Sequence, residues 1–321
     1  MNCEQSIQNQ FHDLLHEVTV VDDGLTDRAD ALIQKYWDVM DRYGLTDPED
    51  TPFIAEGSGC TIFCAEGKGP DRVWRQWLIR FQDGDRCEDR IRLFENACKV
   101  KPYLAQWSHK YPKFLGCGEI DKTPFMVSEY VDGYSPILFQ GQKKGLEISK
   151  LLARELAEIE AHGLLHLDIK PRNYLVSDAD SNVTLIDWEF AQDCGAGVGL
   201  PGSWKFQGGN RLIGTVLYMA PEQALPEECT TGTESYQLAC NVAHLVTGQS
   251  PHHQFYDPTS KEFRRTTLDI AVAVTQYTAQ KNYINQRVEN SSLRELLLAC
   301  MVDKSFRPSV GEISEELDRI N

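Results

Sequence analysis

Residues His166 to Asn173, reading His-Leu-Asp-Ile-Lys-Pro-Arg-Asn, place a carboxylate, a cation and a metal-capable amide on one short polar stretch. A segment rich in Leu and Ala precedes it with helical spacing, and a short apolar strand, Tyr174 to Val176, follows. Fourteen positions after Asn173 comes Asp187, inside Leu185-Ile186-Asp187-Trp188. A hairpin over that interval brings Asp187 back beside Asn173. Two oxygen donors from the two ends of a hairpin suit a hard cation such as Mg²⁺, which keeps waters and phosphate oxygens as its other ligands. Asp168 is then placed to orient a hydroxyl nucleophile, and Lys170 to neutralise a transferring phosphoryl group. Phosphoryl transfer needs such an arrangement, because its catalysis is mostly positioning and charge neutralisation. The octapeptide alone could be a polar surface loop between core elements; the second Asp at hairpin spacing argues against that.

The rest of the chain reads as strands first and helices afterwards. Two helical pieces come at the start: Gln8 to Val18, and Thr26 to Tyr43 with Ala29, Leu32, Ile33, Tyr36, Trp37 and Met40 on one stripe. Ile54 to Ala65, Val73 to Phe81, Lys113 to Gly118 and Pro124 to Tyr130 read as strands, with a charged helix over about Asp89 to Val100. Beyond Gly133 helices dominate, over Leu146–His162, Thr233–Thr247, Thr266–Gln280, Ser292–Val302 and Val310–Arg319. The 321 residues allow an ample core.

The net charge is −16, and residues 1–50 hold 12 acidic and three basic side chains, a net −9. Such a surface repels phosphate backbones and anionic membranes and is compatible with basic protein partners. The ten cysteines include no CxxC pair, so zinc spacing is absent and most are expected to be reduced. No apolar run is long enough to cross a bilayer, and the start lacks the pattern of a secretory signal, so a cytoplasmic location is expected.

Two later segments narrow the chemistry. Gly214-Thr215-Val216-Leu217-Tyr218-Met219-Ala220-Pro221-Glu222 and Arg307-Pro308-Ser309, set beside the loop and Asp187, resemble the eukaryotic-like protein kinase superfamily over roughly residues 50–320. The resemblance implies an α+β, two-lobed fold, with an antiparallel β N-lobe over about 51–132 and a helical C-lobe over about 133–321. Residues 1–50 fall outside it as an acidic helical extension. It also implies ATP and Mg²⁺ between the lobes and a protein substrate. Asp168 takes the place of the base, Lys170 that of the cation near the γ-phosphate, and Asn173 and Asp187 those of the metal ligands. Glu222 is expected to pair with Arg307, and Glu234 to anchor the loop backbone where the family carries an Asp. Lys170 and Thr215 imply the Ser/Thr subtype. In the N-lobe, Ile54 to Ile62 resembles the phosphate-covering loop. Ala55, Gly57, Gly59 and Ile62 are its site positions. Trp77-Leu78-Ile79-Arg80 matches the strand that carries the family's lysine, with Leu78 toward adenine and Arg80 toward phosphates. Glu95, with Glu88 second, is the expected helical partner of that cation. Val127 to Val131 resembles the hinge, with Glu129 and Val131 offering backbone groups to adenine and Ser128 as a small gatekeeper.

Three departures carry expectations of their own. Arg80 keeps the charge of the family's lysine but presents a planar fork instead of a compact ammonium, which makes weak activity or a nucleotide-binding pseudokinase scaffold the alternative; Asp168, Lys170, Asn173 and Asp187 are all present, which favours an active kinase with an adapted phosphate grip. Leu167 replaces the arginine that ordinarily receives an activation-loop phosphate. The segment Ala191 to Arg211 contains one Ser, Ser203, and no Thr, so loop phosphorylation is not expected to be the switch. Asp187-Trp188-Glu189 stands for Asp-Phe-Gly and also occurs in similar form in small-molecule kinases of the choline and aminoglycoside type. Those lack the Lys-Pro, Ala-Pro-Glu and late Arg that this chain has.

Overall fold

The structure, a computed structural model, describes residues 27–48, 53–56, 60–83, 88–107, 111–177, 182–195, 197, 199, 215, 217–224, 227–253, 256–257, 262–263 and 277–320. The expected helix Gln8–Val18, the positions Gly57, Gly59 and Ser203, and residues 266–276 of the expected helix Thr266–Gln280 lie outside the described residues. The chain divides into two compact units, Met1–Gly133 and Tyr134–Asn321.

The first unit is an antiparallel sheet with a helix against each face. Its strands are β1 (Phe53–Glu56), β2 (Thr61–Lys68), β3 (Trp74–Phe81), β4 (Phe114–Ile120) and β5 (Thr123–Glu129), in the order β1-β2-β3-β5-β4. Side chains alternate between faces along a strand. Phe63, Ala65, Trp77, Ile79, Phe81, Phe125 and Val127 therefore share one face, and all are buried. Helix α1 (Asp27–Tyr43) closes over that face with Ala29, Leu32, Tyr36, Val39 and Met40, spaced three or four apart as one helical stripe. The Tyr36 ring stacks on Phe63 at 4.9 Å, and its hydroxyl reaches the Cys64 carbonyl at 2.7 Å. The segment that lies outside the family resemblance thus contributes directly to the core of the sheet.

Helix α2 (Glu88–Trp107) covers the other face, where Phe94 and Ala97 bury against Met126. It runs seven residues past the expected end at Val100, through Pro102. Proline costs a helix interior about 3 kcal/mol. Here the burial of Leu104 and the stacking of Trp107 on Tyr111 at 5.6 Å hold the last turns in place.

The second unit is helical apart from short ladders. Helix α3 (Gln142–Ala161) crosses α5 (Thr231–Thr247) so closely that a Cβ on Gly145 would sit 2.3 Å from the Leu245 carbonyl oxygen. After α3 come β6 (Leu164–Leu165), the hairpin β7 (Tyr174–Ser177) with β8 (Asn182–Leu185), and β9 (Gln192–Asp193), which pairs with β6. The short helix α4 (Pro221–Ala224) precedes α5; α6 (Thr278–Arg287), α7 (Ser291–Cys300) and α8 (Val310–Arg319) complete the unit. Glu222 and Arg307 form a buried, two-pronged ion pair at 2.6 and 3.1 Å, tying α4 to the turn before α8. Among the described residues no helix is long and apolar enough to cross a membrane.

Candidate active site

The β7–β8 hairpin sets the site. Tyr174 pairs with Leu185, and the Ile186 N–H donates to the Asn173 carbonyl at 2.8 Å, so Asp187 follows directly from the strand end beside Asn173. His166 fixes the same corner from the other side. Its Nε2–H donates to the Ile186 carbonyl at 2.9 Å, and its Nδ1 accepts from the Asp168 N–H at 3.3 Å. These two contacts select the Nε2–H tautomer. Burial holds the ring's pKa below its ordinary value and keeps it neutral, with Asp168 and Asp187 acting in the opposite direction. The Trp188 ring lies 4.7 Å from His166.

Asp168 is the centre of the cluster. Its Oδ1 accepts from the Thr215 N–H at 3.0 Å and from the Thr215 hydroxyl at 2.9 Å. Its Oδ2 accepts from the Asn173 amide at 2.8 Å and faces Lys170 Nζ at 2.9 Å. Lys170 also donates to Thr215 Oγ1 at 2.8 Å. Burial by itself would raise the pKa of this carboxyl, but the Lys170 charge and these donors outweigh it and hold the pKa below the usual value. The group stays ionised, aimed and weakly basic. That suits orienting a hydroxyl rather than carrying off its proton early.

Asn173 shows how a metal fits. Its Nδ2 donates to both the carbonyl and the carboxylate of Asp168, each at 2.8 Å, and those atoms can only accept. The amide orientation is therefore fixed, with Oδ1 turned away from Asp168. An amide oxygen and the Asp187 carboxylate are hard donors, suited to a cation that retains other oxygen ligands. Among the described residues no group of three His, Cys, Asp or Glu side chains forms a metal cluster.

Side chains of α5 hold the loop backbone, and only one of them stood out in the sequence. Glu234 Oε1 accepts from the backbone N–H groups of His166 and Leu167, the latter at 3.1 Å. Gln237 Oε1 accepts from the Ile169 N–H at 3.3 Å, and its Nε2 donates to the Leu167 carbonyl at 3.0 Å. Gln223 Nε2 donates to the same carbonyl at 2.9 Å, and Asn241 Nδ2 to the Ile169 carbonyl at 2.8 Å. Gln223, Gln237 and Asn241 were missed. For the two on α5 a signal existed: 234, 237 and 241 form a polar stripe at helical spacing.

In the first unit the expected nucleotide positions divide. Arg80 stands opposite Met126 and Ile62, and Leu78 opposite Ser128, so Ile62, Leu78, Arg80, Met126 and Ser128 share the face under α2. Ala55 pairs with Ile62 in the first ladder. Ser128 is buried and accepts from Lys101 Nζ at 3.0 Å. The Glu129 carboxylate accepts from Arg75 Nε at 2.7 Å and from the Lys113 N–H at 2.8 Å, which leaves only its backbone for a hinge role. The Val131 N–H enters no hydrogen bond among the described residues. Glu95 departs from expectation. It is exposed, on the side of α2 away from Ala97, Val100 and Leu104, and so does not lie against the sheet face that carries Arg80. The side chain of Glu88, the second expected partner, lies outside the described residues. Cys98 and Lys101 take the sheet-facing positions.

The family model for the protein kinase domain matches residues 106–317. The chain is 31% identical over 212 residues to serine/threonine-protein kinase PknD of Mycobacterium tuberculosis, covering 62% of this chain and 29% of that one. It is 29% identical over 162 residues to serine/threonine-protein kinase D of Synechocystis, covering 50% and 32%. To the probable serine/threonine-protein kinase PknB of Lactococcus lactis it is 27% identical over 157 residues, covering 46% and 23%. The aligned region thus spans a quarter to a third of these relatives' own length.

Proposed function

The chain belongs to the protein kinase domain family, and from that premise we propose that it is an ATP- and Mg²⁺-dependent serine/threonine protein kinase. The observation that carries the reading is the closed cluster of Asp168, Lys170, Asn173 and Thr215. Asp168 orients the incoming hydroxyl as base, with its two oxygens aimed by Thr215 and Asn173. Lys170, bridged to Thr215, supplies positive charge where the γ-phosphate is transferred. Asn173 Oδ1 and the Asp187 carboxylate would hold Mg²⁺, which would supply the charge neutralisation that phosphoryl transfer demands. In the first unit Ile62 and Leu78 offer apolar contact to the base, Glu129 and Val131 their backbone groups, and Arg80 a cation for the phosphates. Ala55, Gly57 and Gly59 are the positions that the resemblance assigns to the phosphate-covering loop.

The test is transfer of radiolabelled phosphate from Mg-ATP to a basic protein. Asp168→Ala should reduce transfer by about 10²-fold or more, while thermal stabilisation by Mg-ATP persists. Undiminished transfer in that variant would overturn the assignment of the base. A second reading, a nucleotide-binding scaffold, is favoured by Arg80 and by the outward-facing Glu95. Nucleotide binding without transfer by the wild type would establish it. Arg80→Lys separates the cases further: reduced transfer shows a site built around the guanidinium, increased transfer shows that arginine is a handicap.

A further inference from the structure

Helix α2 brings to the sheet a side chain that the proposed transfer leaves unused. Cys98 packs with Phe114 against Phe94, Ala97 and Met126. Met126 lies in register with Arg80 on one side and Cys117 on the other. Cross-strand partners project from the same face, so Cys117 points to the side on which Cys98 sits. Cys117 lies close enough to act on the Cys98 thiol. Cys117 is exposed on β4, the edge strand, whereas Cys98 is half-buried. Burial, then the nearby Cys117, pushes the Cys98 thiol well above its ordinary value, partly offset by the Lys101 and Arg80 charges.

From this juxtaposition we infer that Cys98 and Cys117 are a modification site, a dithiol that a hydroperoxide converts into a disulfide tying α2 to β4. The exposed Cys117 reacts first, because access decides which sulfur meets the oxidant. Its thiolate attacks the peroxide O–O bond, giving a sulfenic acid and releasing one oxygen as alcohol or water. Cys98 sulfur then attacks the sulfenic sulfur; the S–O bond breaks, the S–S bond forms, and the Cys98 proton leaves with the hydroxide as water. Two thiols lose one electron each and the peroxide gains both. Reduction by an external thiol restores the pair. Arg80 lies across the same Met126, so the bond fixes α2 beside the cation proposed for the phosphates; this last consequence rests on the proposed ATP site.

The experiment is titration of the full chain with hydrogen peroxide under native conditions, followed by non-reducing peptide mapping. The expected product is a Cys98–Cys117 cross-linked peptide 2 Da lighter than the two thiol peptides, lost on treatment with dithiothreitol. It should be absent in Cys117→Ser and in Cys98→Ser. Conversion of Cys117 to sulfinic acid while Cys98 stays free would overturn the inference, as would cross-linking that appears only after unfolding. In a second arm, the KM for ATP of the wild type should shift on oxidation and return on reduction, while that of Cys117→Ser stays constant. A cross-link with unchanged KM would overturn the coupling to the site. A reduced wild type that transfers no phosphate would count against the kinase reading and leave the first arm standing.

Discussion

Leu167 has φ +63°, in the left-handed region where a residue with a Cβ is strained by about 1–2 kcal/mol. In the sequence it marks the loss of a phosphate-receiving arginine. In the structure its side chain is buried with Leu165, Cys229 and Phe190, and its N–H and carbonyl are held by Glu234, Gln223 and Gln237. The strain persists because the surroundings over-determine it. Glu234 makes that anchor sensitive to pH. Burial raises its carboxyl from 4.5 to about 8, the His166 and Leu167 N–H groups opposing the rise and Glu160 adding to it. Between those values the folded chain keeps a proton that the unfolded chain has released. Stability therefore declines as pH rises from 4.5 through about 8 and levels off above. Urea unfolding at stepped pH should show this decline, and Glu234→Gln, which keeps the acceptor at Oε1, should flatten it. Equal slopes in both proteins would remove Glu234 as the cause.

At the level of elements, α1 is where the sequence left most open. Its stripe of Ala29, Leu32, Tyr36, Val39 and Met40 was visible, but a stripe says only that something is covered. What it covers is the outward row of β2, β3 and β5, rich in aromatic side chains that no other described element buries. Leu32→Ala should therefore cost about 2–5 kcal/mol, the range for a core Leu whose cavity cannot collapse. Denaturant unfolding measures this. A cost within about 0.5 kcal/mol, as for a surface site, would show that α1 is only a loose cap. Helix α5 makes a similar point from the polar side. Its buried Glu234, Gln237 and Asn241 are affordable only because each finds a backbone partner in the loop.

For the molecule as a whole, the charge of −16 sets up a long-range field that acts on any approaching charged molecule. Transfer to a basic protein should exceed transfer to an acidic one of similar hydroxyl content. The preference should shrink as salt rises and the Debye length falls from about 10 Å at 0.1 M toward about 3 Å at 1 M. Initial rates on the two substrates across that range measure it, and a preference untouched by salt would place selection in short-range contacts.

Local order and chemistry were legible because they depend on near neighbours. The strand and helix succession, the hairpin between Asn173 and Asp187, and the placing of Asp168 and Lys170 on one loop all follow from periodicity and short spacing. Glu222 with Arg307 and Glu234 with the loop were legible from resemblance alone, since 85 and 68 residues separate those partners. Tertiary structure decided the rest. The face α1 covers, the outward turn of Glu95, the inward turn of Cys98 and Lys101, and the three amides beneath the Leu167–Ile169 backbone depend on how a helix is rotated against a surface. A periodic stripe leaves that rotation open to within a residue or two, and only packing against the sheet or the loop removes the freedom.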